Sequence, residues 1–451
     1  MKENQKLFEQ LRSQYPFFRY KSFTVNNEKY QYTLRFHFTL ADEHHFYPVL
    51  IIPKTPFFST LSRNQWNTLA FHIGMAEAIS YWKAACPPRF IAAPYHLDEA
   101  QVAWWKKLAF HGLGEFFHQN GITTSQDDFM QISSGKKTLP PPVSYPPNQR
   151  VVVPVGGGKD SAVTLELLKE AGYEVIPMAI NPRPAILETV ENAGINLAHL
   201  IRVTRQIDDN LLLLNQQGFL NGHTPFSAVV AFSGTLTAAL AGAGHIALSN
   251  ESSANEATIP GTSINHQYSK SYEFEKDFRA YAARYVSSSN YFSFLRPLNE
   301  LQIARLFASL NHHYYSFKSC NRGSKDNVWC GTCPKCLFTA VILAPFMSRR
   351  QQEKIFGKDM LDDVLLSETF RQLSGQTAEK PFECVGTVDE VKAAATLARE
   401  RWKEPLPELL KITPVPEPTP QQIASLLTML NDEHFVPEKM SAILAEKLQK
   451  L

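Results

Sequence analysis

The sequence predicts an α/β protein built on a parallel sheet with helices on both faces. A mixed β/α N-terminal domain precedes that sheet, and a helical C-terminal region follows it. Three observations lead there. Short apolar runs alternate with helical patterns from residue 149 onward, as in βαβ units. Before that point the apolar residues alternate with period two, as in a half-buried hairpin. After Met347 the pattern becomes helical, up to a proline-rich stretch.

Within 1–148, Lys21 to Leu40 reads as a hairpin. Tyr32, Leu34, Phe36 and Phe38 alternate, and Asn26-Asn27 supplies turn chemistry. Phe46 to Pro53 is a further strand. Asn64 to Ala85 and Asp98 to Gln119 have helical periodicity. Gly135 to Arg150, rich in Pro, Ser and Gly, reads as a linker. The second domain, 149–347, starts with Val151 to Val155, an apolar run expected of a strand buried on both faces. Strands follow at Glu174 to Ile180, Leu200 to Thr204 and His245 to Ser249, with helices between them. A helical part, 348–403, comes next. The last part, 404–451, opens with six prolines between Glu404 and Pro420, the signature of a semi-rigid linker. Thr419-Pro420-Gln421-Gln422 then has the capping pattern of a tail helix, with an apolar stripe at Ile423, Leu426, Leu427 and Leu430.

The 451 residues carry a formal net charge of +2, with 44% apolar and 20% charged residues. That balance argues against a dedicated nucleic-acid binder. No apolar stretch is long enough to span a membrane. The opening MKENQKLFEQLRSQYPFF lacks the apolar core of a signal peptide, so the expected location is the cytoplasm.

Gly156-Gly157-Gly158-Lys159-Asp160-Ser161 lies between a buried strand and a helix. Glycines let backbone N–H groups approach an anion, and the helix N-terminus adds unpaired donors and partial positive charge. Ser161 offers a hydroxyl, and Asp160 a carboxylate for magnesium. The spacing is neither a Walker loop nor a dinucleotide fingerprint. It resembles the S-G-G-x-D-S pyrophosphate loop (PP-loop) of the ATP pyrophosphatase superfamily, with its adenine nucleotide alpha hydrolase-like fold. Gly156 stands where that pattern has serine. The resemblance implies ATP and Mg2+, with cleavage to AMP and diphosphate.

Cys330, Cys333 and Cys336 form C-x-x-C-x-x-C, with Cys320 ten residues upstream. Four thiolates at this spacing suit a structural tetrahedral zinc, and an iron–sulfur cluster is the competing occupant. Similar clusters follow the nucleotide domain in 7-cyano-7-deazaguanine synthase. Cys86 and Cys384 fall outside the spacing and read as small buried residues.

Further strings extend the match: SYWKAACPP (Ser80 to Pro88), HGLGEF (His111 to Phe116), NGHTPFSA (Asn221 to Ala228), the stretch Ser249 to Glu275, LRPLNELQIARLFA (Leu295 to Ala308), SCNR (Ser319 to Arg322) and KPFECVG (Lys380 to Gly386). Together they resemble the bacterial UDP-N-acetylmuramoyl-L-alanyl-L-glutamate epimerases. That resemblance implies inversion of the terminal L-glutamate of UDP-MurNAc-L-Ala-L-Glu in peptidoglycan synthesis, driven by ATP. Adenylation of the α-carboxylate removes its charge and makes the α-proton accessible to a general base. Glu251 is a candidate magnesium ligand, and His266 and Lys270 are candidate proton carriers. Arg183, Arg202 and Arg296 are candidate clamps for carboxylate or diphosphate. A PP-loop amide, nitrile or thio-group transferase acting on a nucleobase or tRNA is the alternative enzyme. A binding module with an inactive loop is the non-catalytic alternative.

Overall fold

The computed structural model describes residues 2–55, 58–145, 148–256, 258–259, 264–377, 379–403, 405–413 and 415–450. Pro146 and Pro147 of the expected first linker, and Glu404 and Pro414 of the second, lie outside them. The strands among the described residues are β1 Phe17–Asn27, β2 Gln31–Leu40, β3 His44–Phe46, β4 Val49–Pro53, β5 Arg89–Ala92, β6 Gln131–Ser134, β7 Arg150–Pro154, β8 Glu174–Ile180, β9 Ile201–Gln206, β10 His245–Leu248 and β11 Asn290–Ser293. The architecture is α/β, with mixed sheet flanked by helices. The chain forms two compact units: Met1–Val152 with Ile201–Ile246 and Ser263–Tyr291, and Val153–Leu200 with Ala247–Thr262 and Phe292–Leu451.

In the first unit the strands run in the order β9-β4-β2-β1-β5-β6, with β3 beside β2. The hairpin β1–β2 is antiparallel and pairs Asn27 with Tyr32. Its turn is Glu28–Tyr30, so Asn26 and Asn27 are strand residues rather than the turn. β5 and β6 extend the sheet in parallel. The expectation of a purely parallel sheet from residue 149 onward fails at β9. This strand pairs antiparallel with β4, Val49 facing Gln206 and Ile51 facing Thr204. Its alternating burial, with Ile201 and Val203 inside and Arg202 and Thr204 outside, is the half-exposed pattern of an antiparallel strand. β7 and β10 are parallel as expected, pairing Val151 with His245.

The helix Arg63–Trp82 begins in a full capping box between Ser62 and Gln65, and nearly all of it is buried. It packs on β1 and β2 and on the helix Phe226–Ala241. His72 sits inside this packing, fully buried. Its Nδ1–H donates to the Thr68 carbonyl at 2.7 Å, and its ring stacks on Phe232.

In the second unit the Val155 N–H donates to Met178 on β8, and the Phe294 N–H donates to Leu248 on β10. The helix Lys159–Glu170 packs on Glu300–Phe307, and Pro334–Leu343 packs on Val388–Trp402. The proline-rich stretch is anchored here rather than a bare linker. Leu409 and Leu410 are fully buried, and the Leu409 N–H donates to the Leu361 carbonyl. The tail helix Pro420–Thr428 has the expected capping box. Asn299 donates to its Leu426 carbonyl at 2.7 Å, so it docks on its own unit. No helix of the described residues is long and apolar enough to cross a membrane.

Burial lowers the His72 pKa from the usual 6.5 to about 4, partly opposed by its bond to Thr68. A depressed folded-state value means stability is fully present above about 6.5 and is lost as pH falls toward 4. A shift of this size corresponds to about 3 kcal/mol. Denaturant unfolding at pH 7 and pH 5 will show this slope, and His72→Phe will flatten it.

Candidate active site and metal centre

β7 ends at Pro154, and the helix Lys159–Glu170 starts three glycines later with Gly158 as N-cap. Glycine has no side chain with which to cap the helix. Its first-turn N–H groups are therefore left for an outside acceptor. Gly157 has φ of 78°, and a Cβ there would lie 3.0 Å from the Ile186 nitrogen. The Gly157 carbonyl accepts from the Lys318 N–H at 2.8 Å. The Ser161 hydroxyl donates to the Gly158 carbonyl at 3.0 Å and is largely buried. The loop thus has a fixed shape and presents backbone donors.

The Lys159 side chain turns into the protein. Its ammonium contacts both Asp160 and Glu300, and it is 3% exposed. Burial works against the charged form. The pull of Asp160 and Glu300 outweighs it and raises the Lys159 pKa far above its usual range. Asp160, Glu251 and Glu300 each bring one oxygen within 4.8 Å of the others. Burial raises the Glu300 pKa; Lys159 opposes the rise, and Asp160 and Glu251 add to it. Glu390 lies behind, accepting from the Ser253 hydroxyl at 2.6 Å and the Glu300 N–H at 2.7 Å. Burial and then Glu300 raise its pKa as well. Three facing carboxylates against one ammonium leave negative charge on hard oxygen donors, the surroundings a magnesium ion needs. The sequence reading had singled out Asp160 and Glu251, which come together here, but not Glu300 or Glu390. Glu300 belonged to a string in plain view, LRPLNELQIARLFA, whereas Glu390 lies beyond Gly386, where those strings end. Arg296, a candidate clamp, is fully buried and donates to the Glu251 carbonyl at 2.5 Å and to Ser293 Oγ at 3.3 Å. It supports the backbone that carries Glu251. Arg183 and Arg202 are exposed.

The four cysteines gather their sulfurs within 4.8 Å of one another. Sγ separations are 3.8 Å for Cys320–Cys333, 3.7 Å for Cys330–Cys336 and 3.4 Å for Cys333–Cys336. A tetrahedron with Zn–S bonds of about 2.3 Å has edges of about 3.8 Å. An iron–sulfur cluster places several irons between its thiolates and needs a wider set. The backbone N–H of Gly323 donates to Cys320 Sγ at 3.1 Å, as suits a thiolate ligand. Cys86 is elsewhere, in the first unit. Burial pushes its thiol well above the usual range, so it is no thiolate nucleophile.

His266 and Lys270 belong to the first unit, as Asp160 and Glu251 do to the second. There His266 Nδ1 makes a short contact with Glu115 Oε2, and His223 Nδ1 lies 3.5 Å from the same oxygen. The imidazole centroids are 4.6 Å apart. Lys83 donates to Asn221 Oδ1 at 2.6 Å and to the Gly222 carbonyl at 2.9 Å, next to His223. Burial first, and then His266, lowers the His223 pKa to about 4; Glu115 opposes this, while Lys270 and Lys83 add to it. Burial also lowers the Lys83 pKa to about 8. Glu115 and His223 escaped the sequence reading, although the strings HGLGEF and NGHTPFSA contain them.

Two family models match the chain: the MurL N-terminal domain over residues 9–294 and the MurL C-terminal domain over residues 316–412. Three curated relatives are each named UDP-N-acetyl-alpha-D-muramoyl-L-alanyl-L-glutamate epimerase. That of Xanthomonas oryzae pv. oryzae is 36% identical, covering 80% of this chain and 82% of the relative. The Micromonospora sp. protein is 38% identical over 73% and 75%, and that of Salinispora tropica 37% over 75% and 75%. Identity at this level over most of both chains, with both domain models matched in order, means that the chain belongs to the MurL family.

Proposed function

We propose that the protein is an ATP-dependent epimerase. It converts UDP-MurNAc-L-Ala-L-Glu to UDP-MurNAc-L-Ala-D-Glu, releasing AMP and diphosphate, in peptidoglycan precursor synthesis. The relatives' names supply the substrate and the inversion. One observation carries the ATP step: an uncapped glycine loop at a helix N-terminus, beside carboxylates that keep unbalanced negative charge. Backbone donors suit phosphate oxygens, and Asp160, Glu251 and Glu300 would hold the magnesium that neutralises them.

Activation answers a definite chemical need. An α-proton beside a carboxylate is hard to remove because the carbanion forms next to a negative charge. Attack of the α-carboxylate oxygen on the α-phosphorus of ATP expels diphosphate and gives a neutral mixed anhydride. The α-proton then leaves to a general base, and the electrons pass into the carbonyl oxygen. Protonation on the opposite face inverts the centre, and water releases AMP. His266 or Lys270 is the candidate for moving the α-proton. The four-cysteine set is assigned to one structural zinc, which would tie Cys320 to the helix Pro334–Leu343.

In heavy water, the D-glutamyl product will carry deuterium at the α-carbon, and AMP will accompany it. Deuterium incorporation without ATP would exclude activation through the adenylate. Asp160→Ala and Gly157→Val will each lower AMP formation by at least about a hundredfold, because one removes a carboxylate and the other forces a β-branched residue into positive φ. Wild-type diphosphate release from both would sink the loop assignment. Elemental analysis will give one zinc per chain. Cys333→Ser will lose it together with several kcal/mol of stability, roughly, since metal binding is coupled to folding. Stoichiometric iron would instead identify a cluster.

A further inference from the structure

One cluster of the second unit has no part in the proposed ATP site. Glu166 lies on the helix Lys159–Glu170, and His312 and His313 lie in the short turn Asn311–His313. The chain separates them from Glu166 by 146 and 147 residues, and the fold brings them together. His312 Nε2 is 2.7 Å from Glu166 Oε1, and His313 Nε2 is 2.9 Å from the same oxygen. The ring centroids are 4.5 Å apart. The turn is itself held in place. Asn192 donates to the His312 carbonyl at 3.0 Å and to Ser316 Oγ at 2.9 Å, and Ser316 donates to the His313 carbonyl at 3.1 Å. His313 is fully buried, Glu166 is 18% exposed and His312 46%, so the cluster has a buried base and a side open to solvent.

We infer that Glu166, His312 and His313 form a binding site for one divalent late first-row metal ion, of the zinc type. The inference is independent of the epimerase reading. Two imidazole nitrogens and one carboxylate oxygen, all within 4.8 Å of one another, are the protein ligands of an open tetrahedral site. Imidazole donors select such ions over magnesium. Bonds of about 2.0–2.1 Å place tetrahedral ligand atoms about 3.3 Å apart, so each nitrogen has only to withdraw from the oxygen by about half an ångström. The charge balance favours a cation. Burial opposes the charge on Glu166, yet the two histidines outweigh it and hold the carboxyl below its usual range. No lysine or arginine among the described residues forms an ion pair with Glu166. If both rings merely donate N–H bonds, the carboxylate keeps its full charge beside a buried ring. A divalent ion neutralises that charge while both rings stay neutral, the form in which imidazole binds metal. Glu115, His223 and His266 of the first unit offer the same donor types, but Lys270 and Lys83 act on His223 and disfavour a dication there. An ion on Glu166 would staple the helix that opens on the glycine loop to the segment whose Lys318 N–H holds the Gly157 carbonyl.

The test titrates cobalt(II) and, separately, zinc into the full chain without an affinity tag. Bound cobalt will show d–d bands without the thiolate charge-transfer band that cobalt in the four-cysteine set would give. Zinc will raise the thermal midpoint, since an ion that binds only the folded chain stabilises it. His312→Ala and Glu166→Gln will each abolish that rise. Losing an outer-shell partner of a metal site costs ~10–100-fold in affinity, so losing a direct ligand will weaken cobalt binding by at least about a hundredfold. His312 is half exposed and Glu166→Gln keeps the side-chain shape, so both variants will fold, with metal-free midpoints near that of the wild type. His223→Gln will bind cobalt as the wild type does. Wild-type affinity in folded His312→Ala or Glu166→Gln overturns the inference. So does a wild-type protein that shows only the thiolate band. Binding lost in His223→Gln but kept in His312→Ala overturns it too, because the ion would then sit in the first unit.

Discussion

Burying the ammonium of Lys159 among carboxylates sets the terms for much of its unit. A charge pair about 4 Å apart interacts by about 4 kcal/mol at an effective dielectric near 20. Removing one partner of a buried pair costs about 3–5 kcal/mol, because the other charge is left stranded. The elements that carry the partners are therefore constrained together. Asp160 lies in the first turn of Lys159–Glu170, Glu300 in the first turn of Glu300–Phe307, and Glu390 in the first turn of Val388–Trp402. Each carboxylate thus sits at the positive end of a helix, which helps to stabilise its charge. Glu390 closes the arrangement by accepting from both Ser253 and the Glu300 N–H.

This use of Lys159 separates the loop from a Walker-type phosphate site. There a lysine reaches the phosphates as a point charge. Here the lysine faces inward, to Asp160 and Glu300. In the proposed ATP site, the positive charge that the loop lacks would come from a cation held by Asp160, Glu251 and Glu300. In the other unit the chemistry is of a different kind. His223 stays neutral through burial and through the repulsion of nearby cations. Ion pairing dominates the one environment, and burial of an imidazole in its neutral form the other.

What the sequence disclosed followed from local physics. β8 was legible to the residue because its apolar run is bounded by turn signals. The tail helix was legible because Thr419 and Gln422 form a box recognisable from spacing alone. Asp160 and the four cysteines were legible because their partners lie within a few residues or at a ligand spacing. Asn26 and Asn27 misled because turn-forming residues also occur in exposed strand ends. The antiparallel pairing of β9 with β4 depends on a partner about 150 residues away, which no window contains. Glu115, His223, Glu300 and Glu390 escaped for the same reason. A lone glutamate in a helix reads as a solvated face, and only the fold reveals that each is buried beside another ionisable group.

The three glycines of the loop illustrate how the structure weighs a departure from a motif. Gly157 is required by its positive φ and by the nearness of Ile186; a Cβ on Gly158 would lie 2.8 Å from Ser319 Oγ. Gly156 is different. A Cβ there meets nothing within 4 Å, and its φ is not in the left-handed region. Packing therefore does not demand glycine at the position where the S-G-G-x-D-S pattern has serine. A hydroxyl-bearing side chain would fit at Gly156, whereas the positive φ of Gly157 is one that L side chains rarely adopt. In the proposed ATP site, phosphate oxygens would meet the backbone donors of the loop and helix N-terminus, and the carboxylates would act only through a cation that they hold. A missing side chain at Gly156 removes one contact without altering the shape that makes the others possible.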